Sequence, residues 1–135
     1  MGRKLTFGNG MALDRLIADI SAGAAGEPQL AELARSCAEA TAWMRTASID
    51  DRLAGSVDYL AMLAVATAGW QMARQRAAAA SMLEQGAGAP AFLRAKIATA
   101  RFFLDRIAPE AAGHMAGAVA GAAGLYEVSV AELAG

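Results

Sequence analysis

The sequence has little of what most catalytic and metal-binding sites require. Its 135 residues include one cysteine, Cys37, and one histidine, His114. A lone cysteine excludes an internal disulfide and fits a reducing compartment. A lone histidine with no second set of ligands does not make a zinc site. We interpret Cys37 as an unreactive core thiol and His114 as a packed or solvent-facing side chain, and we expect no catalytic, cofactor-binding or metal-binding residue in this chain.

An excess of charge and long apolar runs are missing as well. The 12 Lys and Arg residues are balanced by 13 Asp and Glu residues, so there is no basic field for a nucleic-acid partner. The uncharged stretches 59–73 and 111–126 are shorter than the 18 or more residues of a typical membrane span. No apolar run of a signal peptide follows Arg3 and Lys4. These absences predict a cytoplasmic protein without a membrane partner.

Signals for β-strands are also scarce, because β-branched and aromatic residues do not alternate over several positions. Alanine, the best helix former, is abundant instead. The length suits one domain. We predict an all-α fold, an antiparallel up-and-down bundle of about four helices over 10–135, preceded by a lead-in of 1–9 within a single domain of 1–135.

Capping and breaking residues define the predicted helices. Pro28 suits the first turn of the second helix, and Ser48 with Asp51 resembles a capping box that opens the third. Pro109 predicts a kink in the fourth helix. The predicted helices cover 11–21, from 28 onward, 48–84 and 90 to about 120, and the last two form a hairpin.

The third predicted helix carries two apolar stripes, which suggests a central helix covered on several sides. One stripe consists of Leu53, Val57, Leu60 and Ala64, and the other of Tyr59, Leu63, Ala66 and Trp70. The core face of the fourth predicted helix consists of Phe92, Leu93, Ile97, Ala100, Phe103, Leu104 and Ile107.

A candidate interaction surface lies on the fourth predicted helix. Gly113, Gly117 and Gly121 recur every four residues and would let another helix approach closely. Counting back from the hairpin loop places Gly113 near Ala61 and Gly117 near Val57. The alternative for these glycines is a loose, frayed tail.

Four basic residues, Arg94, Lys96, Arg101 and Arg106, complete this candidate surface. They could meet an acidic partner or a phosphate. The alternative is a solvated face with local ion pairs, Arg101 with Asp105 and Arg106 with Glu110, at four-residue spacing.

The segment 92–110, FLRAKIATARFFLDRIAPE, resembles the closing region of long-form acyl-CoA dehydrogenases, such as the 3-methylmercaptopropionyl-CoA dehydrogenase group. Its most specific part is Lys-x-Ala-Thr-Ala-Arg-Phe-Phe followed by a Pro-Glu step. The stretch 59–70 resembles the preceding helix of that C-terminal domain, and 125–133 resembles its closing turn. The likeness is sharpest over 59–110.

The resemblance implies a non-catalytic helical accessory domain of an FAD-dependent enzyme that oxidises acyl-CoA thioesters. It implies packing on the dehydrogenase core, in cis or in trans, or on a neighbouring subunit of an oligomer. The catalytic core with its flavin pocket is not in this sequence, so FAD belongs to the full-length enzyme. The chain is expected to be either an excised domain or a stand-alone relative. Two alternatives are an independent interaction module, such as a homodimer, and a carrier with a ligand pocket between helices beside Trp70.

Overall fold

A computed structural model describes residues 10–135, and every regular element in that range is helical. The all-α prediction is confirmed, while the predicted lead-in of 1–9 lies outside the described residues. In chain order the elements are α1 (Met11–Gly23), α2 (Pro28–Thr46), α3 (Ile49–Ala54), α4 (Ser56–Glu84), α5 (Pro90–Phe102), a π-helical turn (Phe103–Ile107), α6 (Ala108–Ala112), α7 (Met115–Ala118), a 3₁₀ turn (Ala123–Tyr126) and α8 (Val130–Leu133). The prediction of about four helices is therefore coarser than the structure.

Helices α4 and α5 form an antiparallel hairpin. The Lys96 ammonium lies 3.4 Å from the Gln75 side-chain oxygen near the loop. At the far end, Nδ1 of His114, beyond α6, lies 2.7 Å from Oδ1 of Asp58. Later residues of the chain thus contact earlier residues of α4, which is the antiparallel arrangement. Residue 117 also meets residue 58, one position from the predicted neighbour.

The third predicted helix divides into α3 and α4 at Gly55. Its start is as predicted, because the Ser48 hydroxyl accepts from the backbone N–H of Asp51. Gly55 then stands against the backbone of Ala118 in α7, where an added Cβ would overlap the carbonyl group. Tertiary contact with α7 therefore coincides with the break.

The fourth predicted helix passes through a π-helical turn just before Pro109. Proline has no N–H to give to the carbonyl four residues earlier, and the Ala108 N–H bonds to the Phe103 carbonyl five residues earlier. The sequence predicted a kink at Pro109, and the structure has a single π-helical turn just before it, a form in which π-helix usually occurs inside α-helices. The helix then ends at Ala112, so its predicted extension to about residue 120 is wrong.

The core lies between α4 and the helices that cover one side of it. Its largest fully buried side chains are Ile20, Leu30, Leu33, Met44, Tyr59, Met62 and Leu104. Cys37 is 1% exposed, which confirms its predicted burial. The Tyr59 and Thr41 hydroxyl oxygens are 2.6 Å apart. Because the Thr41 hydrogen goes to the Cys37 carbonyl, Tyr59 donates to Thr41.

The two predicted stripes of α4 have different outcomes. Tyr59 and Ala66 are buried, and Trp70 packs half-buried on the core, as predicted. The other stripe was predicted to be covered, and this is wrong, because the large side chains in it face solvent. Both stripes have helical periodicity, and periodicity does not say which of two apolar faces meets the core. Phe92 is likewise exposed rather than in the core, since Leu93 occupies the inward position.

Candidate interaction surface

The four predicted basic residues occupy two different places. Arg94, Arg101 and Arg106 line one open groove of about 390 Å³ on the outer side of α5 and the π-helical turn. Lys96 lies on the flank that faces α4, with its ammonium 5.5 Å from the centre of the Phe92 ring. The structure therefore brings together the three arginines and separates Lys96 from them.

We define the arginine groove by Arg94, Ile97, Arg101, Phe102, Asp105 and Arg106. Phe102 is 63% exposed, so an aromatic face is available between the guanidinium groups. Sequence reasoning did not include Phe102 in the candidate surface. The sequence did contain a signal for it, because positions 94, 98, 101 and 105 lie on one helix face and position 102 lies next to that face.

The two local ion pairs that could have neutralised the arginines are not formed. No carboxylate in the described part of the chain lies within 4.0 Å of Arg94, Arg101 or Arg106. Pairing at four-residue spacing assumes a regular α-helix. The π-helical turn over Phe103–Ile107 changes that geometry for both predicted pairs. The cationic groups of the groove are thus left to solvent or to a ligand.

The three glycines do not form the continuous close-packed face that their spacing suggested. Helices end at Ala112 and Ala118, and Gly121 adopts a positive φ of 75° outside them. A Cβ on Gly113 would contact only its own segment, whereas one on Gly117 would overlap the Asp58 carboxylate. Glycines outside this set stand against neighbouring helices, with Gly23 facing Trp70, Gly55 facing Ala118 and Gly69 facing Leu30. The reason is that α6 and α7 are too short to align three glycines on one axis.

Gly117 instead makes room for a polar contact. The Asp58 carboxylate lies against Gly117 and accepts a hydrogen bond from the His114 ring. Both side chains are partly exposed, as one of the alternatives for His114 required. Their pairing was missed, because 56 residues separate them. A larger residue at 117 would displace Asp58, so such a variant tests this internal contact rather than an interface.

Asp51 attaches the segment after α7 to α3. Its carboxylate accepts from the Ser48 hydroxyl at 2.7 Å and from the Ala122 backbone N–H at 2.8 Å. These hydrogen bonds, with that from Ser48 first, hold the pKa of Asp51 below its ordinary value. The contribution of the ionised Asp51 carboxylate to the stability of the fold is therefore present at neutral pH and is lost as the pH falls through that lowered pKa.

Replacing Asp51 with alanine should release this attachment. We expect the Ala122 amide to exchange its hydrogen about tenfold faster, because a charge-assisted hydrogen bond is removed. Exchange followed by NMR at neutral pH measures the effect. Asp50→Ala is the matched control, since Asp50 is the exposed neighbour in the same first turn. Equal exchange rates in the two variants would contradict the attachment.

A line of exposed apolar side chains lies elsewhere, on α3 and the first turns of α4. We call it the outer apolar face and define it by Ile49, Leu53, Val57 and Leu60. These side chains are 67%, 58%, 77% and 60% exposed. They repeat at three- and four-residue steps and so lie along one line. A helix that is apolar on all sides is normally buried, and the described residues leave the face of α4 with Val57 and Leu60 uncovered.

The interior contains one further ion pair that the sequence did not reveal. Glu27, only 8% exposed, pairs with Arg76 across the bundle. In the described residues, no buried side-chain nitrogen or oxygen lacks a partner. No group of three or more His, Cys, Asp or Glu residues in that range is placed to hold a metal ion. None of the helices described is both long and apolar enough to cross a membrane.

Comparison with known proteins gives one match. The sequence model of a family described as acetyl-CoA dehydrogenase C-terminal like matches residues 14–129. No curated protein and no solved structure matches the chain significantly. The matched range runs from the second turn of α1 to the residue before α8. It includes both the arginine groove and the outer apolar face.

Proposed function

Since the chain belongs to the acetyl-CoA dehydrogenase C-terminal-like family, we propose that it is the non-catalytic accessory domain of an FAD-dependent acyl-CoA dehydrogenase. The resemblance of 92–110 to the 3-methylmercaptopropionyl-CoA dehydrogenase group supports that subgroup. The accessory domain packs on the dehydrogenase core, on the same polypeptide or a separate one, or on a neighbouring subunit. The reaction, an oxidation of an acyl-CoA thioester, takes place in the core.

The flavin belongs to the core in this proposal, because the family resemblance is to the helical domain that follows the flavin-binding core. The buried polar side chains described here already have partners within the chain. We therefore assign no FAD contact to any residue of this chain and derive no step through the cofactor.

The observation that carries the proposal is the outer apolar face. Fully burying a side chain such as leucine or isoleucine stabilises by about 1.5–3 kcal/mol. Burying four such side chains in an interface would stabilise a complex by several kcal/mol. Only the part of this free energy that exceeds the costs of association appears as affinity. Continuous apolar patches of this kind mark interaction sites on soluble proteins. The domain thus contributes to the enzyme by the surface that it presents.

The test is co-purification with the flavin-containing dehydrogenase core of the same organism. We expect the wild-type chain to retain the core, identified by its flavin absorbance and its thioester oxidation. Leu60→Glu should reduce retention at least tenfold, because a carboxylate would be desolvated in the interface. Leu133→Glu is the matched control, since Leu133 is also an exposed leucine but lies in α8.

Failure of the wild-type chain to bind the core, both fused and separate, would overturn the proposal. Sedimentation of the chain alone tests the alternative of an independent dimerisation module. A stable dimer that Leu60→Glu converts to monomer, without any core binding, would favour that alternative. A monomer that binds the core agrees with the accessory domain.

A further inference from the structure

The arginine groove combines four features that are independent of the outer apolar face. It is concave, with a volume of about 390 Å³, within the range of small-ligand sites. Its three guanidinium groups have no carboxylate partner within 4.0 Å in the described residues. It contains an exposed phenylalanine, Phe102, and it spans a π-helical turn, a feature frequent at functional sites.

We propose that the arginine groove binds a phosphorylated nucleotide, and that in the assembled enzyme this is the nucleotide end of a CoA thioester. The second part rests on the proposed function. Arginine is suited to phosphate, because its planar fork of donors pairs with two oxygens and it remains charged at every physiological pH. Aromatic faces stack on nucleobases irrespective of their sequence.

The spacing of the arginines favours a ligand with separated phosphates. Arg94 and Arg106 are twelve positions apart, with Arg101 between them. A ligand with separated phosphates can pair with arginines at both ends of this stretch at the same time. The nucleotide end of CoA carries a diphosphate and a ribose phosphate on opposite sides of its sugar, which suits arginines placed along a line.

The remaining side chains of the groove match the rest of a nucleotide. Phe102 offers a ring face to the base, and Ile97 supplies apolar contact beside it. Asp105 supplies a carboxylate that accepts hydrogen bonds from a ribose hydroxyl or an exocyclic amine. An acidic protein surface would use the arginines but would gain nothing from Asp105. A nucleotide uses all four kinds of side chain.

The binding test is an NMR titration of the isotopically labelled chain with CoA at millimolar concentrations. We expect the shifts to be confined to the backbone amides around the groove, and to weaken as the salt concentration rises. Parallel titrations use adenosine 3′,5′-bisphosphate, ADP and pantetheine. Tighter binding of CoA and the bisphosphate than of ADP would identify the nucleotide end of CoA as the ligand. Equal binding of ADP would identify a free nucleotide as the ligand. Pantetheine should not bind.

Two pairs of variants test whether binding depends on the side chains of the groove or on any exposed positive charge or aromatic ring. Arg101→Gln should weaken CoA binding about tenfold, whereas Arg35→Gln, the same change at an exposed arginine of α2, should alter it less than twofold. Phe102→Ala should also weaken binding about tenfold, whereas Phe92→Ala, at a phenylalanine of equal exposure outside the groove, should not.

Several outcomes would overturn the inference without touching the proposed function. These are no CoA-dependent shifts at the groove, shifts that survive Arg101→Gln, or pantetheine binding equal to that of CoA. Loss of core retention in Arg101→Gln with unchanged CoA binding would also overturn it, because the groove would then be a contact with an acidic protein face. Retention of the core by the wild-type chain is measured separately.

Discussion

Replacing Gly55 with alanine should destabilise the domain by about 1–3 kcal/mol, the usual cost of overpacking a close contact. The added Cβ would overlap the carbonyl oxygen of Ala118, stand 2.8 Å from its carbonyl carbon and lie 3.0 Å from Cε of Met44. A methionine end can move, but the backbone of α7 cannot move without disturbing the contacts around it. The backbone at Gly55, with φ −84° and ψ 0°, accepts any residue, so the cost is steric.

Urea unfolding followed by circular dichroism measures this cost. Gly124→Ala is the control, because no atom lies within 4 Å of a Cβ there and its φ is not positive. We expect that variant to stay within about 0.5 kcal/mol of the wild type. Equal stability of both variants would show that α3, α4 and α7 do not meet as closely as described. The variant also matters for function, since Gly55 joins the two helices that carry the outer apolar face.

Cys37 should be almost unreactive in the folded protein, despite being the only thiol. Burial raises its pKa to about 12. The thiolate is the reactive form, and moving the pKa from 9.0 to about 12 lowers the thiolate fraction at pH 8 by about three orders of magnitude. A disulfide reagent should therefore react with Cys37 at least a thousandfold more slowly in buffer than in denaturant. A folded-state rate close to the denatured one would contradict the burial of α2.

The same shift predicts sensitivity to alkali. A group whose folded pKa is raised stabilises the fold fully below its unfolded pKa, and that contribution is lost as the pH rises through the folded value. The free energy of unfolding should therefore fall between pH 9 and about 12. Burial also raises the pKa of Tyr59, which acts in the same direction. Cys37→Ala should reduce the alkaline loss, since one of the two groups is removed. An unchanged alkaline profile in that variant would assign the loss to groups other than Cys37.

The outcomes at particular residues show why some features could be predicted and others could not. The helical class, the cap at Ser48 and the burial of Cys37 each depend on residue type and short-range spacing. They could be read from the sequence because the relevant physics acts within a turn or two of helix. The resemblance of 59–110 gave the family for the same reason, since it rests on a contiguous pattern.

The positions that depend on long-range packing were open until the tertiary structure placed them. Val57 and Tyr59 both belong to apolar stripes, yet one faces solvent and the other the core, because the described residues cover the face of α4 with Tyr59 and leave the face with Val57 open. Gly117 lies against the Asp58 side chain, and Asp58 pairs with His114, which is 56 residues away in the sequence. Sequence alone determined the helical class and the family that the chain resembles. Tertiary structure decided which faces remain exposed. The periodicity of a helix is a local property, whereas the segments that pack on it come from distant parts of the chain.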